Sequence, residues 1–547
     1  MPRAPHYQKL LRFYHTLRYL RPRQLYHQFR RKIRPPRLAT AVATPSQPAS
    51  LRPVPWPFRP SSYRGSGRFC FLNQEYDCGW PPNWQAPGPS HLWLYNLHYF
   101  DYLHQPGMDE DTALTLIRHW IAHHPPRDGA VGWEPYPLSL RLVNWIKYFL
   151  DRITPLEVLN SIALQSENLR RQIEYHILGN HLFADGKALW FAGFFLKDDE
   201  LMQLGRHIIL SEIKEQFLPD GGHFELAPMY QSIMVEHLLD LINLCQSAGG
   251  SADQEALPGL EKTAAEALGW LKTITDGQGD YPLLNDSAHG GATHYLELLA
   301  YAQRLGVQPR QEQIPRVSVG GWQGYFLSGY WVMSFGPLRL IFDAALLGPD
   351  YLPGHAHCDM LSVLLDFNGK PIFTDTGIYE YAEGPSRTYS RSTAAHNTVV
   401  LDGLEQAECW KSFRMGRRGQ PWNLQQNGKT IRCGHTGFAL WRRGLYHERE
   451  LTLHPKGFEI TDHLRGPGRH HFQAFLHCHP DVHLKCIGDG NIVITDGLSL
   501  EILGAQVRLT ASEHFPEFGV VLTRPCLVLS GSFLHKGVFG VKCTFSS

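Results

Sequence analysis

Apolar positions recur at intervals of three and four along most of the chain up to residue 305, then give way to alternation after Pro315. Helical spacing runs through Thr112–His123, Leu138–Leu150, Leu156–Ile177, Lys187–Leu196, Glu200–Phe217, Pro228–Ser247, Leu260–Ile274 and Thr293–Leu305. The joints between these runs are short and hold Gly, Pro or Asp. Helices of moderate length with brief turns predict antiparallel pairs stacked in a ring or superhelix. The lack of a fixed sequence period argues against a regular solenoid. Beyond Pro315, the runs Tyr330–Phe335, Leu338–Ala344, Leu361–Phe367, Phe458–Asp462, Ile492–Thr495, Leu498–Leu503 and Val520–Leu522 alternate or are rich in β-branched residues. The turn pairs Asn368-Gly369, Asp402-Gly403, Asn427-Gly428 and Asp496-Gly497 separate them. This half predicts an antiparallel β-domain of two packed sheets, and helices followed by strands predict two domains meeting at a cleft, where ligand sites form.

The first stretch of chain follows neither pattern. Pro35-Pro36, Pro53-Val54-Pro55-Trp56-Pro57 and Pro81-Pro82 cannot continue a helix, so residues 35–90 predict an extended wrap. The segment before them is basic and predicts an amphipathic helix, solvated or resting on an anionic membrane surface or a partner. It lacks the apolar core of a signal peptide, and no run of about 18 apolar residues occurs anywhere. A cytoplasmic place, or one peripheral to the inner membrane, is therefore expected, with the periplasm as the alternative. The expected divisions are a basic and Pro-rich extension over 1–88, a helical domain over 89–312 and a β-domain over 313–547.

Composition narrows the partners. A formal net charge of +1 gives no global field for nucleic acid, so affinity for a polyanion must come from a local cleft. Ten cysteines form no C-x-x-C pair and read as reduced, buried thiols, with Cys70 and Cys78 near enough in sequence to close a local loop in an oxidising compartment. Aromatic residues make up 12% of the chain, mostly core by prior and partly available as platforms for sugar rings. With 30 histidines, a single His carries little information.

Three clusters carry candidate chemistry. Asn180 and His181 stand where one predicted helix ends and the next begins, either as a helix C-cap with a surface imidazole or as side chains turned into a cleft. Tyr230 follows the Asp220-Gly221-Gly222 turn and Pro228, in a predicted first helical turn whose dipole would favour a phenolate; a core tyrosine is the alternative. His355 and His357 alternate on a strand-like path, so both would face one side, where Asp375 and His396 could join them around a divalent metal such as zinc.

Together these clusters resemble the heparinase II/III family of polysaccharide lyases, which includes alginate lyases. The resemblance rests on the Asn180-His181 pair, on Gly221-Gly222-His223-Phe224-Glu225-Leu226-Ala227-Pro228-Met229-Tyr230, on His355-Ala356-His357-Cys358-Asp359 and on Arg391-Ser392-Thr393-Ala394-Ala395-His396-Asn397-Thr398. It implies an α+β multidomain fold, an incomplete (α/α) toroid followed by an antiparallel β-sandwich. It also implies β-elimination on a uronic-acid polymer; the lack of the export signal usual in degradative members suggests instead turnover of a polymer made by the same cell, such as an exopolysaccharide. A carboxylate holds its α-proton tightly, so donors must neutralise it before a base can act. By resemblance Asn180 and His355 serve there. The resemblance makes Tyr230 the leading acid and a candidate base, His181 the other base candidate, and Arg387, Tyr389 and Arg391 candidate contacts to substrate carboxylates. Tyr379, Tyr381 and Tyr389 compete as a second tyrosine. His357, Asp375 and His396 would hold a structural divalent metal, most simply zinc. Two other readings are a glycoside hydrolase drawing on Glu134, Glu225 or Asp286, and a non-catalytic glycan-binding protein of polysaccharide assembly.

Overall fold

The computed structural model describes residues 6–45, 48–487, 492–495 and 497–545. Residues 1–5 of the basic segment and Asp496 of the last expected turn lie outside them. Two amphipathic helices, α1 (His6–Leu17) and α2 (Pro22–Ile33), lead into the extended Pro-rich strap and a small three-stranded sheet formed by Tyr63–Gly65, Arg68–Phe71 and Gln74–Asp77. The helical half follows: α3 (His91–Tyr99), α4 (Glu110–His123), α5 (Pro135–Phe149), α6 (Leu156–Gln172), α7 (Gly179–Leu196), α8 (Asp199–Gln216), α9 (Pro228–Ala248), α10 (Ser251–Ile274) and α11 (Tyr295–Arg304).

Local chemistry sets these boundaries. Asp109 and Asp198 cap α4 and α8 by accepting the backbone N–H of Thr112 at 2.9 Å and Leu201 at 3.0 Å. Pro228 occupies the first turn of α9, and Gly249 ends that helix in the left-handed region at φ 67°. The helix α7 is apolar nearly all round and is buried on nearly all sides, as a central helix must be. Its close approach to α8 depends on Gly205, where a Cβ would lie 2.3 Å from the Trp190 backbone nitrogen. Two expectations shift. The helix begun at Leu156 stops at Gln172, and α7 starts at Gly179, so Asn180 and His181 belong to a helical first turn rather than to a C-cap.

The strap is anchored by long-range backbone pairing. Ala49 N–H donates to Phe195 O at 2.8 Å, Leu51 N–H to Leu150 O at 2.9 Å and Val54 N–H to Asn243 Oδ1 at 3.0 Å. These bonds tie it across α5, α7 and α9.

The second half contains a six-stranded meander over residues 316–373 and a ten-stranded antiparallel sheet built on the long pair Gly457–His477 and Leu522–Phe545. Trp322, Leu338 and Val363 of the first sheet share one core with Leu451, Phe458 and Leu527 of the second, which makes the half a sandwich. The fold is thus an α/α toroid followed by an antiparallel β-sandwich. A separate small apolar cluster joins the halves, with Met229 and Tyr230 from α9 against Tyr281, Ile378 and Phe518. No described helix is long and apolar enough to cross a membrane.

Candidate active site

The junction cluster borders a cavity of about 610 Å³ lined by Tyr136 and Tyr230 from the helices, Tyr381 and Phe518 from the sandwich half, Arg59 from the strap and Arg64 from the small sheet. Tyr230 is the third residue of α9, set there by the Gly221-Gly222 turn and Pro228. Its hydroxyl shares a hydrogen bond with that of Tyr381 at 3.1 Å, and its ring lies over the His355 imidazole with centroids 4.0 Å apart. Burial pushes both tyrosines well above the usual phenol range, reinforced at Tyr230 by the Tyr381 phenol and at Tyr381 by the Asp286 carboxylate. The free cleft therefore holds neutral phenols, and the expected pull of the helix dipole toward phenolate is outweighed. Of the three candidate second tyrosines, Tyr381 is the one on Tyr230. Tyr389 instead packs near Phe515, with ring centroids 6.2 Å apart.

His355 and His357 lie in the loop that follows the strand Leu338–Asp343, not on a strand. They nevertheless face one partner. His355 Nδ1 and His357 Nε2 each lie 2.8 Å from an oxygen of Asp286, and Arg387 adds a two-pronged ion pair to the same carboxylate. Burial alone would raise the Asp286 pKa, but the Arg387 guanidinium and the two imidazoles hold it well below the ordinary carboxylate range. On its other side, His355 Nε2 is 3.4 Å from Glu225, which also accepts the amide of Asn180 at 3.2 Å. A continuous polar chain thus runs from Asn180 on α7 through Glu225 and His355 to Asp286, with Tyr230 stacked on it.

His181 stands at the edge of this chain, its ring 4.4 Å from that of Tyr136. Its Nδ1 meets Glu174 Oε2 at 2.7 Å, and Nε2 makes no hydrogen bond among the described residues. Burial would lower the imidazole pKa; the Glu174 charge and hydrogen bond outweigh it and raise it. A carboxylate that orients an imidazole and increases its basicity is a recurring arrangement for general bases.

The expected substrate contacts are placed otherwise. Arg387 is buried and donates to Asp286 and to Ser412 O at 2.8 Å; Arg391 is buried and donates to the backbone oxygens of Ala356 at 3.1 Å and Ser412 at 3.0 Å. Both guanidinium groups bind the histidine loop to its neighbours rather than face the cavity. The described residues that do present cations near it are Arg59, Arg64, Lys147 and Lys187. Arg59 pairs with Glu236, and both lysines pair with Asp240. Cys70 and Cys78 are free thiols.

The expected metal ligands are neighbours. His396 Nδ1 lies 3.0 Å from both Asp375 oxygens, and the His357 and His396 ring centroids are 5.4 Å apart. Among the described residues no group of three or more His, Cys, Asp or Glu side chains is arranged at distances that would hold a metal ion. Three donors in this region are nevertheless buried without a hydrogen-bond partner: His357 Nδ1, His396 Nε2 and Asp359 Oδ2. Two imidazole nitrogens and a carboxylate oxygen match a divalent metal in kind. The orphan carboxylate belongs to Asp359, which the sequence motif contained but did not single out as a ligand.

Asp286, Glu174 and Tyr136 were not assigned parts in the elimination site from sequence. Asp286 is 69 positions from His355 and follows no motif, and the other two show no spacing to the clusters they join.

A model of the heparinase II/III N-terminus matches residues 112–315, and a model described as heparinase II/III-like, C-terminal, matches residues 326–531. A heparin-sulfate lyase of Bacteroides stercoris is 28% identical over 257 residues, covering 43% of this chain and 37% of that protein. An alginate lyase of Stenotrophomonas maltophilia is 22% identical over 393 residues, covering 60% and 52%. The chain thus spans about half or less of the length of these curated relatives. A crystal structure of heparinase III superposes with a TM-score of 0.65 at 17% identity, covering 86% of this chain and 81% of that one. A heparan sulfate lyase from Pedobacter heparinus gives 0.52 at 19%, covering 88% and 82%.

Proposed function

The chain belongs to the heparinase II/III-like family, and from that premise we propose that it is a polysaccharide lyase that cleaves a uronic-acid-containing polymer by β-elimination. One observation carries the reading. Tyr230 of the helical half meets Tyr381 of the sandwich half in the wall of a single cavity, and His355, stacked on Tyr230, is joined through Glu225 to Asn180 of α7.

The environments of two titratable groups favour a division of roles. Tyr230, kept neutral by burial, suits the acid that protonates the departing glycosidic oxygen. His181, oriented by Glu174 with Nε2 unpaired, suits the base that takes the proton beside the substrate carboxylate. Asn180 would donate to that carboxylate, steadied by Glu225, as charge builds on it. His355, with both nitrogens on protein carboxylates, would set the position of Tyr230 and its hydroxyl. The elimination breaks one C–H and one C–O bond and consumes no water, leaving an unsaturated sugar on one product.

His357, His396 and Asp359, with Asp375 behind His396, would hold a divalent ion, zinc being the first candidate. Bound there, it would supply fixed positive charge that ties the histidine loop to residues 393–396. A hydrolase would need two opposed carboxylates, one of them protonated. Asp286 is instead saturated by Arg387 and two imidazoles, and Glu134 is bonded to Tyr95 and His91.

The test is incubation with heparan-type, alginate-type and capsule-type polymers, following ultraviolet absorbance of the new double bond. Unsaturated products that vanish with Tyr230→Phe are expected. Saturated products, or no turnover of any uronate polymer, would reject the assignment.

A further inference from the structure

The helices α1 and α2 are amphipathic in the reverse of the usual sense. A helix resting on a soluble protein turns its apolar stripe inward and its polar face to water. In α1 the residue turned inward is Thr16, whose hydroxyl donates to Arg12 O at 2.8 Å and accepts the Trp410 indole N–H at 3.2 Å, while Arg12 Nε reaches Glu408 at 2.9 Å. Leu10, Phe13, Tyr14 and Leu17, spaced as one helical stripe, are exposed, Leu10 at 68%. In α2 the inward residue is Gln24, 2% exposed, which donates to the backbone oxygens of Ile177 at 3.2 Å and Tyr351 at 3.3 Å. Leu25, Tyr26, Phe29 and Ile33 face outward, Phe29 at 66%. Both helices are thus fastened to the body mainly by polar contacts, with the Phe13 ring also 5.6 Å from that of Trp410, and present most of their hydrocarbon to the outside.

The charge around this hydrocarbon identifies what covers it. Residues 1–37 contain eleven lysines and arginines and no acid, and the first acid of the whole chain is Glu75, although the chain as a whole carries a formal charge of only +1. Arg30, Arg31, Lys32 and Arg34 cluster about Phe29 and Ile33. A second copy of the chain docked here would bring the same cations against these, which like-charge repulsion disfavours. An apolar interior beneath an anionic surface satisfies both features at once. Leucine and aromatic side chains enter the acyl boundary while arginines and lysines meet headgroup phosphates.

We propose that α1 and α2 form an in-plane membrane anchor that seats this protein on an anionic lipid surface, with the sugar cavity carried on the body above it. The anchor needs no spanning helix, and it makes binding reversible and sensitive to ionic strength.

The test is flotation of the full chain with vesicles of phosphatidylcholine alone and with vesicles that also contain phosphatidylglycerol, at low and high salt. The expected result is co-flotation with the anionic vesicles, weakened by salt. The triple substitution L10S/F29S/I33S should reduce partitioning on the order of a hundredfold or more, because three inserted apolar side chains are lost. Those residues are exposed and do not line the cavity, so the melting temperature and any turnover of soluble polymer should be unchanged in the variant. A wild-type chain that stays with the unbound fraction in anionic vesicles overturns the proposal, as does a triple variant that floats equally well. If light scattering shows a dimer that the triple variant abolishes, without vesicle binding, the face belongs to a second copy. Capture of an acidic protein without vesicle binding assigns it to that partner. Either result also overturns the anchor.

Discussion

Replacing Glu174 by Gln tests the base assignment most directly. The carboxylate sits 2.7 Å from His181 Nδ1 and is the main source of the upward displacement of the imidazole pKa, with Glu225 adding to it. An opposite charge at this range moves a pKa by about 1–3 units, or about 1.4–4 kcal/mol between the two protonation states. Burial of His181 acts in the other direction and remains in the variant. The imidazole pKa should therefore fall, with the Glu225 charge, which also raises it, still in place. If neutral His181 takes the substrate proton, the rising acid limb of the rate profile moves to lower pH by the same amount. The plateau should also fall, because Gln no longer fixes the ring, but by less than the roughly 10²–10⁴-fold lost in His181→Ala. The assay is the initial rate of double-bond absorbance across a pH series for wild type, Glu174→Gln and His181→Ala. A Gln variant whose limb stays at the wild-type pH would refute the reasoning, since the ionisation observed would then belong to another group. Stability has its own sign. The raised His181 pKa stabilises the fold below the ordinary histidine value, an effect lost as pH rises through the folded pKa. Glu174, whose pKa is lowered in the fold, contributes above the ordinary carboxylate value, an effect lost in acid. The melting difference between wild type and Glu174→Gln should be largest in the window between those limits.

Other outcomes follow from the same geometry. Tyr230→Phe should abolish most double-bond formation while leaving polymer binding intact; full activity would remove Tyr230 as the acid. Asp286→Ala strands the buried Arg387 and should destabilise by about 3–5 kcal/mol in thermal melts, whereas Asp286→Asn, which keeps the shape, should cost less; equal effects would show that the ion pair is not the source. Dialysis against a chelator should remove about one divalent ion per chain by elemental analysis and lower the melting temperature, and His396→Ala should copy that loss. A chain purified without metal, whose melting ignores the chelator, would exclude the site.

Much of the framework was legible because it rests on local rules. Pro228 and the apolar period from Met229 onward marked α9 within a few residues, and β-branched alternation marked Tyr330–Phe335 and Ile492–Thr495 to the residue. The sequence pattern sets the start of α7 too late, at Lys187, with Asn180 as a possible C-cap, whereas Gly179, at φ 60°, opens the helix. The site was legible as a list of residue types and illegible as a set of partners. Nothing near Asp286 indicates that it will sit between His355, His357 and Arg387, and an arginine in a motif does not reveal whether it turns inward or out. Arg387 and Arg391 turned inward, since a loop carrying two buried imidazoles needs its carbonyls and its counter-carboxylate satisfied. Tyr381 could be separated from Tyr379 and Tyr389 only by which hydroxyl reaches Tyr230.

The strap also has a history in time. Val54 cannot find Asn243 until 189 further residues have been made, which at about 5–20 residues per second takes roughly 10–40 s. For that interval the newborn segment waits undocked, and its prolines keep it from committing to a helix or from pairing with a stray strand. This wall of the cavity is made well before the helix that holds it in place.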